Sequence, residues 1–128
     1  MSISNYVETK VMDALFNNVS PVAIQLASRY IKLHTGDPGE DGTANAAGET
    51  TRKSITGAAS VNGVFTSAAD LSWVAVSTTE TITHVSLFDT VGPAGGNCLW
   101  SGALPGPKAL TAGDTLTITT GNLTVTLD

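Results

Sequence analysis

Cysteine, basic residues and long apolar runs are nearly missing from this 128-residue chain, and each shortage removes a class of function. A single cysteine, Cys98, excludes an internal disulfide. Flanked by Asn97 and Leu99, with no His or basic residue close in sequence, it reads as a small strand residue rather than a nucleophile. Six Lys and Arg stand against eleven Asp and Glu, giving a net charge of −5 and a pI of about 4.7. A nucleic-acid binder needs a basic stripe to displace counterions from phosphates, and none can be assembled from so few cations. A membrane-surface helix needs Lys or Arg too, and the N-terminal helical segment carries only Lys10. No apolar run approaches the ~20 residues that span a bilayer. Met1-Ser2-Ile3-Ser4 has neither the basic start nor the apolar stretch of a signal peptide, so synthesis and folding in a cytosol are expected.

Charged residues make up 13% of the chain, about half of the usual ~25% for soluble proteins. Hydrophobic residues still reach 41% with a mean hydropathy of +0.15, enough for a cored domain rather than a disordered tail. Thr, Ser, Ala, Asn and Gly fill the difference, a composition of short strands and tight turns under a hydroxyl-rich surface.

One helix stands out, Asn5 to Phe16. Val7, Val11, Ala14 and Leu15 fall on one stripe at helical spacing, with Asn5 and Glu8 at capping-box spacing and Ser4 as a competing cap. Asn17-Asn18 ends it, since Asn tolerates the left-handed conformation past a helix C-terminus. About a dozen residues are marginal as an isolated helix, so the stripe must be covered, either by its own sheet or by a neighbouring subunit. Pro21 breaks any continuation, and residues 19–29 read as a connector.

From Tyr30 the period becomes two. Ile31 and Leu33 share one face and Tyr30, Lys32 and His34 the other. A long polar loop follows, from Thr35 to Gly48. Further strands are expected at 53–59, 71–76, 81–88, 98–101, 115–119 and 123–127, with a tight hairpin at Val61-Asn62-Gly63-Val64. Seven or eight short strands predict an antiparallel β-sandwich over residues 30–128, preceded by the helix and connector of residues 1–29. Its core is expected to consist of Ile31, Leu33, Val74, Val76, Val85, Leu87, Leu116, Ile118, Val125 and Leu127.

Catalytic constellations do not emerge. Asp37, Glu40 and Asp41 form the densest set of oxygen ligands, but without the spacing of a calcium loop they read as turn chemistry. His34 and His84 sit within strands with no ligand at metal spacing and read as structural. There is no Gly-x-Ser-x-Gly elbow, and no Lys follows the glycines near Gly36 and Gly39 as a phosphate loop requires. Trp73, Trp100, Tyr6 and Tyr30 read as core or interface anchors before sugar-stacking rings. No metal, cofactor or enzymatic activity is expected.

Several segments resemble a family when taken in order: Ser4-Asn5-Tyr6-Val7-Glu8, Tyr30-Ile31-Lys32-Leu33-His34-Thr35-Gly36-Asp37-Pro38, and Thr83-His84-Val85-Ser86-Leu87-Phe88-Asp89. Asn97 to Leu104, Ala112-Gly113-Asp114 and the ending Gly121 to Asp128 complete the pattern. Together they resemble small tailed-bacteriophage virion proteins, usually labelled tail fibre or minor tail protein and sometimes capsid decoration protein. The chain departs from the pattern in lacking an aromatic before Arg52 and in the proline-rich stretch Leu104-Pro105-Gly106-Pro107-Lys108. The resemblance implies a non-enzymatic exterior subunit of the virion, contacting capsid or tail proteins and copies of itself as a homotrimer, without nucleic acid or membrane. The helix residues Val7, Val11, Ala14 and Leu15 are then the candidate subunit contact. The competing reading is a carbohydrate-binding β-sandwich that attaches to a host surface glycan.

Overall fold

The computed structural model describes residues 2–17 and 29–126. Its elements in chain order are β1 (Ser2–Ile3), α1 (Asn5–Phe16), β2 (Arg29–His34), β3 (Lys53–Ile55), β4 (Val64–Thr66), β5 (Leu71–Trp73), β6 (Glu80–Phe88), β7 (Cys98–Leu110), β8 (Leu116–Ile118) and β9 (Thr124–Thr126). The fold is mostly β, with eight strands of three residues or more, a two-residue edge strand and one short N-terminal helix. Every strand pair is antiparallel. Five strands form the main sheet in the order β1-β7-β6-β2-β3, and β4-β9 and β5-β8 are separate two-stranded ribbons.

Cross-strand pairing shows why the alternation in β2 matters. Ile31 lies opposite Leu87 and Leu33 opposite Val85, while Leu87 also meets Trp100 of β7. These side chains form one face, and they join Leu71 and Trp73 of β5 and Leu116 and Ile118 of β8 in a single buried cluster. Main sheet and ribbons therefore close over a common core, as the half-apolar strands require. Trp73 is 1% exposed, and its indole N–H donates to the Thr51 carbonyl at 2.8 Å.

Seven expected core residues, Ile31, Leu33, Val76, Val85, Leu87, Leu116 and Ile118, are buried. Val125 is half-buried against the cluster. Val74 is not in the core: it is 73% exposed, because Leu71 and Trp73 are the buried face of β5 and plain alternation turns Val74 outward. Ala75 then takes a left-handed φ of 51°, which breaks the alternation and lets Val76 be buried although Trp73 is buried too. Leu127, the Asn18 end of the expected helix stop and most of the 19–29 connector lie outside the described residues. Asn17 caps the helix with φ −105° rather than in the left-handed region, and its amide N–H donates to the Asp13 carbonyl at 3.0 Å.

The Asn62-Gly63 hairpin forms as expected, with φ of 51° and 75° and reciprocal backbone bonds of 3.0 and 3.1 Å between Val61 and Val64. By contrast, β7 is much longer than the 98–101 strand read from the sequence, running to Leu110. Its proline-rich part is accommodated by a register break. Ile82 pairs with Lys108 and His84 with Ala103, so Thr83 alone faces residues 104–107. Pro105 and Pro107 have no N–H to give the ladder and bulge away from it.

The 35–48 loop is the largest departure from expectation. Instead of a solvated turn it folds back over the second face of the main sheet. Thr35 N donates to Asn45 O at 2.9 Å and Ala47 N to Leu33 O at 3.1 Å, and Pro38, Gly42 and Ala47 are buried. Gly42 has φ +68°, and a Cβ there would lie 2.8 Å from the Phe88 ring and 2.9 Å from the Cys98 sulfur. Only glycine lets the loop come this close.

Candidate functional site: an apolar helix end and a neighbouring cleft

Ser4 builds the junction between arm and body. Its hydroxyl donates to the Cys98 carbonyl and accepts from Val7 N at 3.4 Å, and its backbone N–H donates to Leu99 O at 3.2 Å. The sequence offered Asn5 and Ser4 as caps; Ser4 is the N-cap. β1 pairs Ser2 with Ser101 and Ile3 with Trp100, which sets the start of the helix on the edge of the main sheet.

Among the described residues, the contacts between α1 and the core are at the beginning of the helix. Ile3, Tyr6 and Val7 pack against the core, and no helix residue is fully buried. The four stripe residues therefore have unequal surroundings: Val7 rests on the core, Val11 and Ala14 are half-exposed, and Leu15 is 70% exposed. Two residues beyond the predicted stripe complete the apolar end, Met12 at 55% and Phe16 at 74% exposed. Their i, i+4 spacing was available in the sequence, but they lie one step round the helix from the Val7–Val11–Leu15 stripe.

Beside the junction lies a cleft of about 670 Å³ lined by Ser4, Asn5 and Tyr6 of the arm, Glu40, Asp41 and Thr43 of the loop, and Gly96, Asn97 and Cys98. Two of the three loop carboxylates are committed to its turns. Asp37 Oδ1 accepts from Gly39 N at 2.9 Å, and Asp41 Oδ1 accepts from Thr43 N and Oγ1 at 3.1 and 2.8 Å. The Thr43 bonds hold the Asp41 carboxyl below its ordinary range. Among the described residues no three His, Cys, Asp or Glu gather as metal ligands. Burial pushes the Cys98 thiol up to about 11, far from the thiolate that a nucleophile requires.

A Ser–His contact does exist, between Ser86 Oγ and His34 Nε2 at 2.7 Å, but both residues are 0% exposed. His34 Nδ1 is 2.9 Å from the Ala44 carbonyl rather than a carboxylate. Neither substrate nor water can approach that hydroxyl while the loop is in place. No helix among the described residues is long and apolar enough to cross a membrane.

What the arrangement presents is thus a pinned body with a weakly held apolar arm. Residues 2–126 match the family model described as Podophage GP4 fiber I protein gp80. The chain belongs to this family. No curated protein matches it in sequence. A phage fibre protein is a structural component of the virion and associates with other virion components. For such a fibre subunit the exposed helix end is the candidate contact, and the cleft beside it is a second candidate surface.

Proposed function

We propose that this fibre protein is a non-enzymatic exterior subunit, made in the host cytoplasm, that stabilises or decorates the particle through subunit contacts. Residues 1–29 act as the docking arm and residues 30–128 as the outward body, with copies assembled as a homotrimer. The supporting observation is the helix end: Met12, Leu15 and Phe16 are exposed, while among the described residues it is the first turn that packs on the core. Charges are costly to bury at interface centres, and a chain with 13% charged residues offers a wide surface free of that cost.

Sedimentation of Leu15→Asp beside the parent tests this reading. Leu15 is 70% exposed, so the variant keeps its own fold and loses only what covers the residue from outside. The parent is expected at about three times the 13.1 kDa chain mass and the variant at a lower mass with unchanged thermal melting. A parent that stays monomeric at high concentration and fails to bind particles would overturn the proposal.

The cleft supports a second reading, attachment to a host glycan. It combines the Tyr6 ring, the Asn5 and Asn97 amides, the Thr43 hydroxyl and the Glu40 and Asp41 carboxylates, a mixture that suits a neutral hydroxylated ligand better than an ion. Glycan-array binding by the parent that Tyr6→Ala abolishes would favour it.

A further inference from the structure

The second face of the main sheet carries a fully buried imidazole between three elements. His34 lies at the end of β2, opposite His84 of β6, and the 35–48 loop covers it. Its Nδ1 is 2.9 Å from the Ala44 carbonyl of that loop, and its Nε2 is 2.7 Å from Ser86 Oγ. A carbonyl can only accept, so Nδ1 carries the proton. In the neutral ring Nε2 then accepts from the Ser86 hydroxyl, and every polar atom of the pair is satisfied without water.

We propose that His34 is an acid-sensitive latch, which fastens the 35–48 loop to the sheet when neutral and releases it when Nε2 takes a second proton. Protonation puts a hydrogen on the nitrogen that was accepting. Ser86 must turn to accept from it, and the Ser86 hydrogen loses its acceptor at a site where both residues are 0% exposed. Among the described residues the positive ring also has no buried carboxylate to meet. On β2 its neighbour on the same face is Lys32, whose ammonium donates to Gly42 O at 3.2 Å and lies 5.4 Å from the Phe88 ring. On β6 it faces His84, whose Nδ1 is 2.8 Å from Thr83 Oγ1. Arg52 stacks on Phe88 at 3.9 Å, and Cys98 of β7 pairs with Phe88. The loop itself brings Asp37, Glu40 and Asp41, all exposed, with Asp37 and Asp41 bonded to their own turns. Burial lowers the His34 pKa, the Ala44 bond opposes this, and Lys32 lowers it further.

The direction of the pH effect follows. The closed form disfavours the imidazolium, so closure is at full strength above the ordinary histidine value of ~6.5 and weakens as pH falls from there towards the lowered value. Within that window the open population rises by up to about tenfold per pH unit. Opening would remove Glu40, Asp41 and Thr43 as one wall of the cleft against the arm, so acid would couple the loop to the arm junction.

Amide hydrogen exchange on the full chain from pH 5 to 7.5, corrected for intrinsic rates, reads the latch directly. The Thr35, Ala44 and Ala47 amides, bonded to the Asn45, Pro38 and Leu33 carbonyls, should lose protection about tenfold per unit below ~6.5. The Val76 and Gly113 amides, bonded to Asp114 and Val76 outside the loop, should not follow. His34→Gln should abolish the dependence. Because that variant alters a fully buried site, Ser86→Ala serves beside it. Ser86 is the partner of Nε2 in both protonation states, and the charge-assisted bond lost by the imidazolium is the larger. The His34 ring of this variant should therefore titrate at a lower pH by NMR than in the parent, and the loss of protection should continue to a lower pH. Flat loop protection, loop and control amides opening together, or a parent His34 ring titrating at ~6.5 would each overturn the proposal.

Discussion

Replacing the buried Arg52 should destabilise the body, although among the described residues no carboxylate is bonded to it. The residue is 5% exposed and precedes β3. Its Nη1 reaches the Thr90 carbonyl and hydroxyl, both at 3.1 Å, and the Gly95 carbonyl at 3.0 Å, which pulls the 89–97 strap onto the sheet. The guanidinium lies 3.9 Å from the centre of the Phe88 ring. Three contacts share the two hydrogens of Nη1, so they amount to two charge-assisted bonds of ~1.5–3 kcal/mol each, with a further ~0.5–2 kcal/mol from the stack. Against this, Thr90 and Gly95 are exposed and can hydrate once released, and burial already works against the guanidinium charge while Asp89 supports it. The net cost of Arg52→Met should therefore be ~2–4 kcal/mol, read as a lowered urea midpoint at unchanged slope. Arg52→Lys keeps the charge but not the planar fork, and should recover only part of the loss. The Asn97 amide, bonded to Asp89 Oδ1 at 2.8 Å within the strap, should exchange faster in both variants. A Met variant within ~0.5 kcal/mol of the parent, or a Lys variant equal to it, would refute the clamp.

Truncating Leu87 or Val85 to Ala should cost on the order of 1–4 kcal/mol by denaturant midpoint, since both line the core face and leave a cavity. Parental midpoints would mean that this face is not the one that carries the packing. Glu80 accepts from Gly48 N at 2.8 Å, Glu49 N at 3.0 Å and Thr78 Oγ1 at 2.6 Å. Burial raises its pKa, but these bonds outweigh it and hold the carboxyl below its ordinary range. Its contribution is therefore present above ~4.3 and lost as pH falls through the lowered folded value. The Tm gap between parent and Glu80→Gln, open at pH 6, should narrow below pH 4. Millimolar calcium should move Tm by less than about 1 °C, because the Asp37 and Asp41 oxygens already serve backbone donors; a rise of several degrees would make this loop a calcium site.

The readable parts of this fold are the parts written locally. Asn62-Gly63 specifies a hairpin through the positive φ that both residues accept, and Ile31 and Leu33 set their face by alternation. Val74 was misread because the 71–76 run was phased on Val74 and Val76, whereas Leu71 and Trp73 set the inward face and nothing about Ala75 announces the left-handed residue that returns Val76 to it. The 35–48 loop was legible as turns through Asp37-Pro38-Gly39, but not as a layer over the sheet. Its partners Phe88 and Cys98 lie about 45 to 55 positions from Gly42, and only the strand order brings them under it. The length of β7 was hidden for a related reason: Pro105 and Pro107 signal an interruption, and the chain absorbs them as a bulge before resuming the ladder at Lys108. At the candidate contact, periodicity revealed the helix and its stripe. How far the body covers that stripe depends on Ser4, Leu99 and Trp100, which no local pattern joins.

The acidic balance acquires a structural meaning from the same contacts. Asp37, Asp41, Glu49, Asp70, Glu80, Asp89 and Asp114 each accept a backbone N–H in a turn or strap, so most of the carboxylates act as pins within the body. The arm is built in the opposite way, from one two-residue strand, one cap and one packed turn. Its exposed end represents about two side chains of unburied apolar area, and covering it would yield ~3–6 kcal/mol. Association costs at least ~4 kcal/mol in lost translational and rotational freedom, and estimates extend above 15. One helix end cannot hold two subunits together on these terms. If the arm docks as proposed, the contact has to spread onto the body, where Val91 at 63% and Val74 at 73% exposure are further apolar residues in solvent. Leu15→Asp and Val91→Asp should then each weaken the assembly, whereas an isolated peptide of residues 1–17 should neither associate nor compete. A peptide that displaced the full chain from its oligomer would show the arm to be sufficient alone and the area argument to be wrong.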